Sequence, residues 1–364
     1  MPLVSVLVNT YNHERFIAQA IQSILDQDFP ADQMEIIVVD DGSTDSTPQI
    51  IQSFLPRIRY IRKQNGGQVS AFNAGVAEAH GDIVAFLDGD DWWAPEKISA
   101  VVKAFDENPK IACVGHGFVE VHEAESVTQV VRPAGDQAVN LMSPEAARMA
   151  YSARYFLGTS KLSVRRNVVE RVGRLPENLI FFDVPVQLLA MTLGTALVLD
   201  QALCFYRLHG ENLFQSRSHD AGNLRRKYQF LLAQLSFLPP ALLHAGVMPD
   251  ALSALLESDE AECKRLRLSL LGGWPWETFR LERKRFQLAY QRYNAAYAAF
   301  KWLVLVSTLL MPPRYFYKAR DWYARHNLRR FRKVFGEPVP VASIHARRET
   351  LVKGSVVSQI RSVR

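Results

Sequence analysis

The sequence predicts an α/β fold, a mostly parallel sheet with helices on both faces, followed by a helical extension. Three observations carry this. Strand-like and helix-like segments alternate four times in the first 108 residues, the pattern of parallel strands joined by crossover helices. The strand segments are continuous Val, Ile and Leu runs, as expected of strands covered on both faces. Several of the runs end in polar residues, at Asn9-Thr10-Tyr11, Asp40-Asp41 and Asp88-Gly89-Asp90-Asp91. Sheets of this kind bind ligands outside the carboxyl ends of their strands.

Taken in order, Leu3 to Val8 is the first strand, with no basic segment before it, so it reads as a strand and not a signal peptide. Phe16, Ala20 and Ile24 beside Ile17, Ile21 and Leu25 recur at helical spacing and predict a helix over Glu14 to Gln27. Ile36 to Val39 is the second strand, and Asp45 or Ser46 caps a helix running to Phe54. Ile58 to Ile61, a Gln64-Asn65-Gly66-Gly67 loop, a small-residue helix over Ser70 to Ala79 and a strand over Ile83 to Leu87 follow. The next helix has Pro95 near its first turn.

Beyond residue 110 the alternation loosens. Ile111 to Val121 reads as a strand interrupted at Gly115-His116-Gly117, and Ser143-Pro144-Glu145 opens a helix. Thr159 to Val164 reads as a strand with a helix across Val168 after it. A helix through Val186, Leu189 and Leu193 closes at Gly194, and Ala196 to Leu199 is a further strand. After Asn223 the chain turns helical, with Pro239-Pro240 between Leu-rich segments and a long basic helix expected from Trp276 to about Phe300. The expected organisation is a nucleotide-binding half over 1–110, an acceptor-side half over 111–222, a basic and aromatic helical extension over 223–335, and a flexible tail over 336–364. Cys113, Cys204 and Cys263 have no metal-binding spacing and read as buried free thiols of a reducing compartment.

The acidic cluster is the strongest chemical signal. Three carboxylates within four positions at the end of a buried strand repel one another, and they call for a cation or a set of donors. Hard cations prefer oxygen ligands and neutralise a leaving diphosphate. A solvated turn or helix cap is the bland alternative for each Asp taken singly. Asp41 could accept from the N–H of a nucleobase, and Tyr11 could stack on it. The Asn65 to Asn73 stretch has glycines that permit close backbone approach, but it matches neither a dinucleotide fingerprint nor a phosphate-binding P-loop.

In order and spacing, Val4 to Asn12, Ile37 to Asp45, Asn65-Gly66-Gly67 with Asn73-Ala74-Gly75, and Phe86 to Asp91 resemble glycosyltransferase family 2 across about the first 110 residues, and more loosely to about 215. The resemblance implies a GT-A fold, a nucleotide-sugar donor, Mn2+ or Mg2+, and inversion at the anomeric carbon. It implies a donor pocket of Asn9, Tyr11, Asp41, Asn65, Gly67, Asp88 and Arg207, and a metal held by Asp90, Asp88 and His209. Inversion needs a general base on the acceptor hydroxyl. The family's Glu-Asp pair corresponds to Phe182-Asp183, so Asp183 is the expected base and Phe182 departs from the pattern. His13, His80, His116 and His122 are expected to be structural.

No Gln-x-x-Arg-Trp segment is present, which favours single addition over processive synthesis. The expected acceptor is a glycan or a lipid-linked saccharide of a cell-surface polysaccharide. From Lys264 to Lys333 there are seventeen Lys and Arg against three acids, interleaved with aromatics. That mixture suits an anionic membrane interface, with a helical packing element and nucleic-acid binding as the other readings. No nucleic-acid motif is present, so no nucleic-acid partner is expected. The apolar run Trp302 to Met311 is shorter than the roughly twenty residues a bilayer needs. A cytoplasmic enzyme, peripheral on the inner membrane face, is the expected location. A degenerate fold acting as a membrane-associated scaffold and a nucleotidyltransferase are the alternatives.

Overall fold

A computed structural model describes residues 4–122, 127–209, 221–289, 302–323 and 346–352. The strands are β1 (Val4–Thr10), β2 (Met34–Asp40), β3 (Arg59–Arg62), β4 (Ile83–Asp88), β5 (Trp92–Trp93), β6 (Ile111–His122), β7 (Val127–Pro133), β8 (Gln137–Val139), β9 (Ser163–Arg165), β10 (Thr195–Leu208) and β11 (Ala346–Val352). The helices are α1 (Ile17–Leu25), α2 (Thr47–Gln52), α3 (Gln68–Ala77), α4 (Lys97–Glu107), α5 (Pro144–Ala153), α6 (Arg166–Val172), α7 (Asp183–Leu193), α8 (Ala221–His244), α9 (Pro249–Leu271) and α10 (Pro275–Ala289). Residues 302–307 and 313–323 are also helical.

One mixed sheet runs β11-β7-β6-β9-β4-β1-β2-β3, with β10 pairing β5, β6 and β8. Its parallel part is β3-β2-β1-β4, as the early alternation predicts, together with the β6–β10 pair. The remaining pairings are antiparallel. Every residue of β1 is buried, which is why that strand is an unbroken apolar run rather than an alternating one. α1 buries Ile17, Ala20, Ile21 and Ile24 on one stripe. It starts later than Glu14 because the turn before it is tied to the segment preceding α2. The His13 N–H donates to Thr47 Oγ1 at 2.9 Å, the Glu14 N–H to Asp45 at 3.0 Å, and the Ser46 N–H to Glu14 at 2.9 Å. Pro144 opens α5 behind Ser143, whose hydroxyl accepts the Ala146 N–H.

Several expectations change. Gly115-His116-Gly117 does not interrupt β6. The two glycines let the Phe156–Leu157 segment and Arg132 lie directly against the strand. β10 is far longer than Ala196 to Leu199 and carries Phe205-Tyr206-Arg207 within it, because it pairs with β6 through register shifts. Of the strand expected over Thr159 to Val164, only the end is strand. Residues Thr159–Lys161 form a 3-10 turn instead. Pro239-Pro240 lie inside α8 rather than between two helices. Part of the tail expected to be flexible is β11, which pairs antiparallel with β7 and is pinned by Arg132 to Glu349 at 3.1 Å. The rest of the basic helix expected to reach Phe300 lies outside the described residues. The three cysteines are free and buried.

The chain divides into two compact units, residues 1–215, 238–252 and 344–364, and residues 216–237 and 253–343. The first holds the sheet. The second has its own small core of Ala261, Leu268, Leu281, Phe316 and Tyr317. Among the described residues, no helix is long and apolar enough to cross a membrane.

Candidate functional site

Parallel register carries the polar strand ends to one edge. Asn9 stands opposite Asp88, and Thr10 opposite Asp40. The backbone ties them together: the Asp41 N–H donates to the Thr10 carbonyl at 2.9 Å, and the Gly89 N–H to the Asn9 carbonyl at 2.8 Å. Gly89 is obligatory there. A Cβ would lie 2.7 Å from Thr10 Oγ1 and 2.9 Å from His13 Nδ1.

The two carboxylates after β2 divide their work. Asp40 is wholly buried and accepts from the Ser43 N–H and the Tyr60 hydroxyl, each at 2.8 Å, so it holds the turn. Asp41 gathers the loop before α3. Lys63 Nζ donates to it at 2.6 Å, the Gly67 N–H at 2.6 Å, and the Gly66 N–H at 3.0 Å. Asn65 and Gly67 are thereby drawn to the same edge as Asp41, and Tyr11 lies 44% exposed at the end of β1. Two buried side-chain oxygens at this edge, Asn9 Oδ1 and Gln68 Oε1, have no hydrogen-bond partner among the described residues. Buried polar atoms without partners are rare and point to a ligand that supplies the missing donors.

Asp88, Asp90 and Asp91 place side-chain oxygens within 4.8 Å of one another. Burial, then the like charges of Asp90, Asp91 and Asp183, push Asp88 far above the ordinary carboxylate range, against a 3.0 Å hydrogen bond from Gln68 Nε2. Burial and the charge of Asp90 raise Asp91 to about 8. Burial also works to raise Asp90, but the His209 hydrogen bond and the charge of His13 outweigh it and leave Asp90 below the usual range. Packed this closely, the cluster does not carry three negative charges unaided, and a divalent cation would remove that penalty. The oxygen set suits a hard cation. Asp91 is already committed, its two oxygens accepting from the Ser160 hydroxyl at 2.6 Å and the Arg207 N–H at 2.9 Å. Asp88 and Asp90 lie beside it in the cluster, with His209 against Asp90. His209 Nε2 sits 3.1 Å from Asp90 Oδ2, with its ring against Phe16 at 5.0 Å.

Arg207, expected on a phosphate, supports the acidic loop in this conformation. Its guanidinium lies between Phe16 at 4.6 Å and Trp92 at 4.5 Å, and its Nε donates to the Asp90 carbonyl at 2.9 Å. Asp183 opens α7 and accepts the Val184 N–H at 2.8 Å. Its charge acts on Asp88, so it lies near the acidic cluster. Phe182 turns the other way, wholly buried between Phe72 and Phe86. A side chain at that position belongs to the core.

Sequence reasoning missed His13, Gln68, Ser160 and Lys161. His13 is two residues beyond Tyr11, and its place on a strand-end loop was the available signal. Gln68, at the start of α3, is polar at the end of a Gly-rich loop. Ser160 and Lys161 give no local signal, because long-range pairing across β9 and β10 brings them to the site.

The comparisons agree with this geometry. The family described as Glycosyl transferase family 2 matches residues 5–170. An uncharacterized glycosyltransferase of Nostoc sp. is 33% identical over 234 residues, covering 62% of this chain and 71% of that protein. EpsJ of Bacillus subtilis, an uncharacterized glycosyltransferase, is 30% identical over 244 residues, covering 64% and 70%. TarS of Staphylococcus aureus, a poly(ribitol-phosphate) beta-N-acetylglucosaminyltransferase, is 34% identical over 108 residues, covering 29% of this chain and 19% of that protein. The crystal structure of TarS 1–349 in complex with UDP-GlcNAc superimposes with a TM-score of 0.50 at 20% identity, covering 81% of this chain and 94% of that one, a likeness of fold.

Proposed function

This chain belongs to glycosyltransferase family 2, and we propose that it is an inverting, metal-dependent enzyme that moves a sugar from a nucleotide-diphosphate sugar to a glycan or lipid-linked acceptor of a cell-surface polysaccharide. The observation that carries this reading is the convergence, on one sheet edge, of the Asp41 pocket, the Asp88–Asp90–His209 cluster and the carboxylate of Asp183. A uridine nucleotide is the favoured donor, in keeping with the UDP-GlcNAc complex of TarS.

In this reading the base stacks on Tyr11 and its imino N–H reaches Asp41. Asn9 Oδ1 and Gln68 Oε1 take donors from the ribose or sugar hydroxyls. Asp88, Asp90 and His209 would hold Mn2+ or Mg2+, which would supply positive charge for the departing diphosphate. Arg207 steadies the loop that presents Asp90. Asp183 accepts the acceptor hydroxyl's proton as the new C1–O bond forms and the C1–O bond to the nucleoside diphosphate breaks on the opposite face, which inverts the anomeric centre.

The second unit supports a membrane partner. Arg314 donates to the Leu271 carbonyl at 3.1 Å, which joins the turn after α9 to the corner before helix 313–323. Leu271, Trp274, Trp276, Leu310 and Tyr315 are all exposed around these corners. Lys264, Arg267, Arg280 and Lys284 line a cleft of about 280 Å³ between α9 and α10 together with Glu260 and Glu277, the latter paired with Arg267 at 3.0 Å. Exposed Trp, Tyr and Leu beside Lys and Arg fit the interface of an anionic bilayer. An anionic membrane surface, at the inner face, is the proposed partner of this unit.

A screen of nucleotide sugars with Mn2+ tests the reaction. Release of nucleoside diphosphate is expected, whereas inorganic diphosphate would indicate nucleotidyl transfer. Asp183→Asn should keep donor binding and lose transfer, and unchanged transfer would remove Asp183 as the base.

A further inference from the structure

Lys161 ends the Thr159–Lys161 turn and is 8% exposed. Its ammonium sits against three ring faces, Phe118 at 4.1 Å, Tyr206 at 5.3 Å and Tyr155 at 5.5 Å. Among the described residues its Nζ meets no hydrogen-bond acceptor. Gly158 makes the space beside it. A Cβ there would lie 3.4 Å from Lys161 Nζ and 3.7 Å from Asp183 Oδ2. The two charged groups therefore border one niche, no more than about 7 Å apart, within the range at which opposite charges couple in a partly desolvated site.

The other acids near Lys161 are held elsewhere. Glu120 accepts the Tyr155 hydroxyl at 2.9 Å, and both Asp91 oxygens are taken by Ser160 and Arg207. Asp183 accepts the Val184 N–H on Oδ1, and its Oδ2 borders the niche. Phe182, where the family pattern has Glu, is turned into the core, so support for Asp183 has to come from another segment.

We propose that Lys161 is a positioning residue, the counter-charge that holds Asp183 as an oriented carboxylate across the Gly158 niche. The proposal rests on Asp183 as the base of the transfer reaction. The electrostatics agree with it. Burial raises Asp183, opposed by the Val184 N–H, by the charges of Lys161 and Arg154, and by the Thr159 N–H. Burial lowers Lys161, opposed by Cys204, Asp91, Asp183 and Glu120. A neutral side chain at 161 would leave the buried Asp183 with less opposing charge.

A double-mutant cycle on the full chain tests the pair. Lys161→Met keeps the stem in the aromatic cage and removes the charge. By denaturant unfolding at pH 8 it should shift the folding equilibrium at least about tenfold more in the parent chain than in an Asp183→Asn background. Equal shifts in the two backgrounds would overturn the proposal, because loss of cage contacts alone does not depend on residue 183. If Lys161→Met does not fold, Lys161→Met/Asp183→Asn decides: recovery of folding supports the pairing, and a second unfolded chain refutes it. In turnover of the donor that the screen identifies, Lys161→Met should lower kcat most on the acid side of the pH profile and leave the donor KM within about twofold. Lys161→Arg should restore most of it, and a uniform loss at every pH counts against the proposal. The base assignment fails separately, by unchanged transfer in Asp183→Asn, whatever the cycle shows.

Discussion

Phe182→Glu writes the family's acidic pair back into the chain, and the structure predicts that it damages the protein. Phe182 is fully buried, stacked on Phe72 with centroids 4.4 Å apart and tilted against Phe86 at 5.1 Å. Emptying a site filled by a buried Phe costs about 3–5 kcal/mol. A Glu there would be driven to its neutral form, and its unpaired polar atoms add about 1–3 kcal/mol. A loss of at least about 4 kcal/mol is a large share of a typical domain's stability. For a unit of this size it corresponds to a fall in melting temperature on the order of 10 °C. Phe182→Leu, which keeps an apolar side chain, should cost about 1–2 kcal/mol. Thermal melts of the full chain, run beside donor turnover, give both quantities. A Phe182→Glu chain that melts within about 2 °C of the parent, or that gains turnover, would show that residue 182 reaches the site, and the reasoning would fail.

Asp90→Ala should lower metal-dependent turnover by at least about a hundredfold while the fold survives. Its melting temperature in metal-free buffer should stay within about 3 °C of the parent's, because the lost His209 contact is offset by relief of the charge beside Asp88 and Asp91; full activity would sink the metal assignment. Lys97 is fully buried, 3.8 Å from the Trp93 ring centre, and burial lowers it to about 7. Between that value and the unfolded chain's, only the unfolded state holds the proton, so stability rises with pH in this window. Relative to Lys97→Met, the parent chain should gain up to about 3 kcal/mol between pH 7 and pH 9. A difference that stays flat with pH would contradict this. Trp274→Ala/Trp276→Ala should weaken flotation with phosphatidylglycerol-containing vesicles about tenfold. Flotation equal to the parent's would clear those tryptophans of a membrane role.

The parallel β3-β2-β1-β4 sheet and the gathering of its polar strand ends at one edge were legible from residue order. Each is local: an apolar run followed at once by its polar end, with register then aligning Asn9, Asp41 and Asp88. Asp183 was legible as well, through its place at a helix start. The direction of Phe182 was not, because a Phe beside an Asp reads the same whether it faces a pocket or a core, and only packing against Phe72 and Phe86 distinguishes the two. Lys161 and Ser160 were hidden for a related reason. They lie about seventy residues from the acidic loop in sequence, and the antiparallel pairing of β9 with β4 and β6 carries them to it. Local pattern reports the period of an element and how it ends, and that was enough for the polar sheet edge. Which side chains from distant segments share a desolvated niche depends on sheet order and packing, and the surroundings of Asp183 were settled there.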